Sequence, residues 1–142
     1  MPNIELLHTI SQSSFEEIVA YISLFDLDNR ALQKQEFAAV SHQQNIIAFG
    51  RIKEHPTCSE LCSLGVTEPK RLQGFGKTVV QALIKKATQP LFLVCIIPDY
   101  FKPLGFEICE NYPIEIAEKL RYCTDELVVP EKYVVMQYKP KV

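Results

Sequence analysis

No stretch of this sequence is apolar for long enough to cross a bilayer, since none approaches the roughly 18 consecutive residues that a helical span needs. The opening MPNIELLHTISQSS lacks a basic segment followed by an apolar one, so no secretory signal is read and a cytoplasmic location is expected. Histidine is sparse: His8, His42 and His55 are scattered without the spacing of metal ligands on a helix, and no metal site is expected. The five cysteines, Cys58, Cys62, Cys95, Cys109 and Cys123, include no C-x-x-C pair and lie mostly in apolar stretches, which reads as reduced core thiols. Charge of one sign is also lacking. A formal net charge of -2 argues against a nucleic-acid binder that works through a global basic field, and any phosphate held is a small one. No repeat or low-complexity linker divides the 142 residues, so one domain over 1–142 is expected.

What is present is a chain with average hydrophobic and charged fractions, 47% and 23%, that should fold around an ordinary core. Residues 4–10 read as a strand. Ser13 and Ser14, each with a glutamate three residues later at Glu16 and Glu17, read as a capping box opening a helix with Phe15, Ile18, Val19, Ile22 and Phe25 on its apolar face. Residues 27–35 form a polar connection. Phe37–Ser41 and Ile46–Ile52 flank a short polar turn and predict an antiparallel hairpin. Cys58–Thr67 follows as a third long strand, in which period-2 alternation puts Cys58, Glu60, Cys62 and Leu64 on one face. A carboxylate there is either half of an ion pair or a catalytic group, and the pattern alone leaves both open.

After Glu68-Pro69 comes KRLQGFGKT, then a regular helix with Val79, Val80, Leu83, Ile84 and Ala87 on one side. Leu91–Ile97 is an unbroken apolar run, as expected of a central strand parallel to its neighbour. From Asp99 the chain gives a short aromatic segment, a strand around Phe106–Cys109, a helix opened by Pro113 with Ile116, Ala117 and Leu120 on one side, and a last strand over Lys132–Lys139. The fold class is therefore α/β or α+β, a mixed sheet with an antiparallel first half and one parallel pair bridged by the helix after the glycine loop.

That loop carries the clearest chemistry. Gly74 and Gly76 let the backbone approach a ligand, and the unpaired N–H groups and dipole of the helix opening attract an anion, so Arg71–Lys77 reads as a pyrophosphate cradle. Gly76-Lys77-Thr78 looks like the end of a nucleotide P-loop, but the first glycine of that motif would fall at Arg71, and the motif fails.

Arg71-Leu72-Gln73-Gly74-Phe75-Gly76 resembles the R/Q-x-x-G-x-G/A signature of GNAT acetyltransferases, placed after a strand and opening a helix as in that family. Leu104-Gly105-Phe106 resembles the family's aromatic-x-x-x-G-F segment, with Phe101 at the aromatic position, and Glu60–Val66 resembles its fourth strand. Within the superfamily, ELCSLGV and the segment from Tyr100 through PIEIAEKL to PEKYVVMQYK look most like the acetyltransferase domain of N-acetylglutamate synthases. Those synthases keep basic residues for a carboxylate at the end of the fifth strand, where this chain has Cys95-Ile96-Ile97-Pro98. The resemblance implies direct transfer of acetyl from acetyl-CoA to an amine, with Leu64, Gly65, Val66, Arg71, Leu72, Gln73, Gly74, Phe75, Gly76, Lys77 and Phe101 around the cosubstrate. By the same resemblance Glu60 stands where histone-type members keep their base, a role suited to a carboxylate of raised pKa, and a backbone N–H near Leu64–Val66 faces the oxyanion. The tyrosine that often protonates the leaving thiol is replaced by Phe101, with Tyr100 one residue before it. The expected acceptor is the primary amine of a small molecule, an amino acid such as glutamate among them. A protein or peptide amine and a catalytically silent acyl-CoA-binding module are the alternatives. Arg51, Lys53 and Lys132 are the basic residues that could meet an acceptor carboxylate, no nucleic-acid or membrane partner is expected, and a homodimer stays open.

Overall fold

The computed structural model describes residues 4–67 and 74–140. Its strands and helices follow one another as β1 Ile4–Leu7, α1 Gln12–Leu24, β2 Phe37–His42, β3 Asn45–Glu54, β4 Ser59–Val66, α2 Phe75–Lys86, β5 Leu91–Cys95, α3 Pro98–Phe101, β6 Phe106–Ile108, α4 Ile114–Glu126 and β7 Val134–Tyr138. The strands follow the order β1-β2-β3-β4-β5-β7-β6, and β4 with β5 is the parallel pair, with Ser59 opposite Leu91 and Glu60 opposite Phe92. The mixed sheet expected from the sequence is thus the one observed. None of the helices, among the described residues, is long and apolar enough to cross a membrane.

The chain divides into two compact units, the first taking the chain up to Ile52 together with Cys62–Lys86, the second taking Lys53–Leu61 and the chain from Ala87 onward. In the first unit β1, β2 and β3 form an antiparallel meander, and β2 turns into β3 through Gln43 and Gln44, whose φ of 52° and 70° suit a two-residue hairpin with the twist of its strands. Helix α1 lays Ile18 and Ile22 against Phe37, Ala39, Ile46 and Phe49 in one apolar cluster. Its cap differs from the expected one. Ser11, in extended conformation, accepts the Ser14 N–H at 3.1 Å, while Ser13 and Ser14 already lie inside the first turn. Glu17 is drawn elsewhere, accepting the Ile46 N–H at 3.0 Å, so it cannot close a capping box. Helix α2 buries Gly76, Val79, Val80, Ala82 and Leu83, largely the predicted stripe.

In the second unit β5 lies between β4 and β7, which explains its continuous apolar run: every residue of it is at least half-buried. Cys58, Phe92, Ile116 and Val135 form the core there. Helix α4 begins at Pro113 as expected, but its buried stripe reads Ile116, Lys119, Cys123, with a lysine where a hydrophobic residue is usual.

Candidate active site

Arg71, Leu72 and Gln73 lie outside the described residues, so the cradle is visible from Gly74 onward. Gly74 has φ +83°, a left-handed conformation that favours glycine, and a Cβ built on it would meet no atom within 4 Å. Its carbonyl accepts the Thr78 N–H at 3.2 Å and lies 3.3 Å from the Thr78 hydroxyl, which fixes the first turn of α2. Gly74 and Lys77 are exposed, Phe75 is half-buried and Gly76 is buried. The open backbone at the head of a 12-residue helix fits an anionic ligand, because none of the described residues fills the space beside Gly74.

Strand β4 does not keep the simple alternation the sequence suggested. Ser63 has φ +56°, an uncommon state for a residue with a side chain, and it turns the strand partway along. On its far side, Leu64 reaches toward Gly50 beside Val79 and Leu83 of α2, since a Cβ on Gly50 would meet the Leu64 Cδ1 at 3.2 Å. Gly65 instead faces Phe49, whose Cζ would lie 2.5 Å from an added Cβ. That ring needs the glycine. Ser63 is held by its hydroxyl, which donates to the Asp28 carbonyl at 2.7 Å and accepts from Arg51 Nε at 3.1 Å. Arg51 is wholly buried, and its other donors reach the Arg30 carbonyl at 3.0 Å, the Ala31 carbonyl at 3.3 Å and Glu36 Oε1 at 3.0 Å. An arginine so occupied cannot meet an acceptor's carboxylate, which leaves Lys53 and Lys132 of the three expected candidates.

Glu60, in the part of β4 that belongs to the second unit, is 2% exposed. Its Oε1 accepts from His55 Nε2 at 2.8 Å and its Oε2 from Lys119 Nζ at 2.7 Å. Burial alone would push this carboxyl up; the hydrogen bond from His55 and the charge and hydrogen bond of Lys119 overcome it and hold Glu60 below the usual glutamate range. The sequence suggested a raised value, and the difference comes from two partners that pattern did not reveal. Because an ionised carboxylate can only accept, His55 Nε2 carries the proton between them. Glu60 is therefore a buried, ionised ion-pair partner that accepts a hydrogen bond on each oxygen. Around it, His55 N donates to the Cys58 carbonyl at 2.8 Å, Gln89 donates to the His55 carbonyl at 2.7 Å, and Glu54 accepts from the Ser59 hydroxyl at 2.7 Å and from Gln89 Nε2 at 2.9 Å. These contacts brace the turn that presents the imidazole.

The cysteines are free thiols. Burial, joined by the charges of Glu115 and Glu60, pushes the Cys58 thiol up to about 11, and burial pushes Cys95 to about 11 as well, so neither offers a ready thiolate at neutral pH. Phe101 is 4% exposed and meets Phe106 edge-on with ring centroids 5.8 Å apart, while Tyr100 lies against Phe101 at 5.0 Å. Phe101 thus packs behind β6. Burial pushes the Tyr100 hydroxyl up, which makes it a poorer acid.

The interactions of three side chains were not legible in the sequence as such. His55 stands in a polar turn, Lys119 in an otherwise amphipathic helix and Arg51 in a strand flanked by glycine and isoleucine. A lysine and an arginine at positions that period and pattern mark as buried were the available signal, since each implied a carboxylate partner.

Residues 4–106 match the model of a family described as the acetyltransferase (GNAT) family. Among curated proteins no sequence matches. Among solved structures the chain is similar to N-acetylglutamate synthase from Neisseria gonorrhoeae complexed with coenzyme A and N-acetyl-glutamate, with TM-score 0.74 and 14% identity over 98% of this chain and 35% of that one. It is similar to Rv2747 from Mycobacterium tuberculosis in complex with CoA and NLQ, with TM-score 0.76 and 16% identity over 96% of this chain and 99% of that one. It is also similar to Arabidopsis thaliana Naa50 in complex with the bisubstrate analogue CoA-Ac-MVNAL, with TM-score 0.65, 12% identity and coverage of 97% and 99%. The chain spans about a third of the length of the Neisseria synthase, and at such identities these likenesses concern the fold.

Proposed function

The chain belongs to the GNAT family of acetyltransferases, and we propose that it moves the acetyl group of acetyl-CoA to the primary amine of a small molecule, an amino acid such as glutamate among the acceptors. The observation that carries this reading is Glu60, a buried carboxylate held ionised on β4 in a chain whose next helix opens on an unfilled left-handed glycine. Bound acetyl-CoA supplies a thioester, an acyl carbon activated toward amines. Gly74, Phe75, Gly76 and Lys77, with Arg71, Leu72 and Gln73 before them, hold its pyrophosphate by backbone N–H groups, the helix dipole and the two cations. Leu64, Gly65 and Val66 follow the turn at Ser63, whose left-handed backbone re-aims the N–H groups after it, and we assign these to the acyl oxygen. Phe101 contributes by fixing the segment before β6. Glu60 receives the proton that the acceptor's ammonium must lose before it can attack, directly or through one water.

The small-molecule reading draws on the likeness to structures complexed with N-acetyl-glutamate and with NLQ, and Lys53 and Lys132 are the candidates for an acceptor carboxylate. The test is free-thiol release from acetyl-CoA across amino acids, polyamines and short peptides. Turnover with one or more small amines is expected. Turnover with peptides alone would move the acceptor to a protein amine, and acetyl-CoA binding without turnover on any amine would leave a silent acyl-CoA-binding module.

A further inference from the structure

We propose that His55 and Lys119 are positioning residues for Glu60, clamping its two oxygens from the turn before β4 and from α4 and thereby setting how readily the carboxylate takes the acceptor's proton. The proposal rests on the assignment of Glu60 as that acceptor. Its ground is the arrangement itself: one oxygen bound to an imidazole at 2.8 Å, the other to an ammonium at 2.7 Å, with the carboxylate 3% and the lysine 5% exposed but the imidazole 17% exposed. Lys119 occupies a position in the buried stripe of α4, between Ile116 and Cys123, where an uncompensated cation would be costly. It is compensated by Glu60. An ion pair built only for stability would need just these two members; the third, His55, is the one that both touches the carboxylate and reaches solvent.

The consequence is a base whose strength follows the state of its neighbour. With His55 neutral, Glu60 faces one cation and an N–H donor; with His55 protonated it faces two cations, and taking a further proton becomes harder. Other titratable groups lie nearby, Tyr133 beside Lys119 among them. Glu115, on α4, accepts from the Thr57 hydroxyl at 2.9 Å and adds negative charge on the side of His55. Glu54 is engaged with Ser59, Thr88 and Gln89, and Cys58, pushed up to about 11, stays neutral. The proton step balances simply: the acceptor's N–H⁺ bond breaks, an O–H bond forms on Glu60, and the nitrogen lone pair is freed for attack.

The test is a carbon-13 NMR titration of the Glu60 carboxyl in the intact chain and in Lys119→Met, Lys119→Arg and His55→Gln, with kcat/KM against pH on whichever amine turns over. In the unaltered protein the carboxyl should titrate below the ordinary glutamate value of about 4.3. Lys119→Met should move its inflection up by at least about one pH unit, a tenfold change in proton affinity, while Lys119→Arg should restore most of it. His55→Gln keeps a donor but carries no charge, so the inflection should rise by less than in Lys119→Met. Should Lys119→Met not fold, Lys119→Gln takes its place with the same expectation. A Glu60 inflection unmoved by His55→Gln and by the lysine variant that removes the charge would overturn the proposal. Full turnover in Glu60→Gln at every pH, with the inflections moving as expected, would instead overturn the assignment of Glu60 as base while leaving the clamp intact.

Discussion

Each unit of this chain builds a polar cluster around a buried charged side chain, Arg51 in the first and Glu60 in the second, and the two clusters are built on different plans. Arg51 is met by the Arg30 and Ala31 carbonyls, by the Ser63 hydroxyl and by Glu36, two of them backbone groups that neither titrate nor rotate. Glu60 is met by two side chains that can both gain or lose a proton. The first plan makes a fixed joint: it ties the connection around residues 28–36 to the left-handed residue of β4, and a backbone state that costs of order 1 kcal/mol persists because its surroundings over-determine it. The second plan makes an adjustable charge. A buried ion satisfied by carbonyls belongs to the scaffold, while one satisfied by titratable partners has a chemistry that can be tuned.

Removing Arg51 should have the largest effect. Arg51→Met leaves Glu36 and two carbonyls facing a methyl group, and breaking a buried pair from one side costs about 3–5 kcal/mol. Urea unfolding should read that loss in the midpoint with little change in slope, and a loss under about 1 kcal/mol would mean the joint is not closed. Glu60→Gln comes next, read mainly in catalysis: turnover should fall by roughly 10²-fold or more at neutral pH with acetyl-CoA affinity nearly unchanged, and raising the pH should recover part of it as more acceptor is already neutral. Stability in acid gives the second reading of the same variant. The folded value of Glu60 lies below its unfolded one, so its contribution is present above the unfolded value of about 4.3 and is lost as pH falls through the lower folded value. Glu60→Gln should flatten that part of the acid unfolding curve. Arg51→Met removes a cation beside the Glu36 and Asp28 carboxylates and should lower the curve while leaving the Glu60 step in place; loss of that step in Arg51→Met as well would erase the distinction drawn between the clusters.

Gly74→Val separates a ligand contact from either kind of joint. A β-branched side chain at φ +83° is strained by about 1–2 kcal/mol, yet its Cβ would meet no atom of the described residues within 4 Å. The fold should lose about that amount, while acetyl-CoA binding, followed by calorimetry, should weaken by roughly tenfold or more because the side chain occupies the backbone's open side. Equal losses in both would make the glycine structural only.

How much of this was readable beforehand follows the range of the interactions. The hairpin at Gln43-Gln44, the parallel β4–β5 pair and the α2 stripe come from turn chemistry, apolar runs and helical period, all local signals, and each was legible. The cap at Ser11 was missed because three serines within four residues satisfy the same local rule, and only the observed dihedrals and the pull of Ile46 on Glu17 choose among them. The turn at Ser63 and the clamp on Glu60 were illegible for a stronger reason. Ser63 is held from Asp28 and Arg51, and Glu60 from Lys119, 59 positions away, and no periodicity encodes a partner at that separation. Glu60 itself could be picked out as a carboxylate in a buried strand, but its charge state could not, because that depends on the partners.

The smallest effect expected concerns Tyr100, the one hydroxyl of the second unit that lies beside the place where many acetyltransferases of this family keep an acid. Position argues against that role first: one step along a helical turn rotates a side chain by about 100°, and the ring rests against Phe101 with centroids 5.0 Å apart. Acidity argues the same way, since burial raises the hydroxyl's pKa and so makes it slower to give up a proton at neutral pH. The leaving group needs little help, because a thiolate whose parent thiol has a pKa of about 8.5 departs tolerably without protonation. Tyr100→Phe should therefore keep turnover within about tenfold of the unaltered chain, with the alkaline limb of kcat in place and acetyl-CoA affinity unchanged, as measured by steady-state rates and titration. A collapse of turnover with binding intact would put a second titratable catalytic group in this unit and would mean that Glu60 does not govern its pH dependence alone.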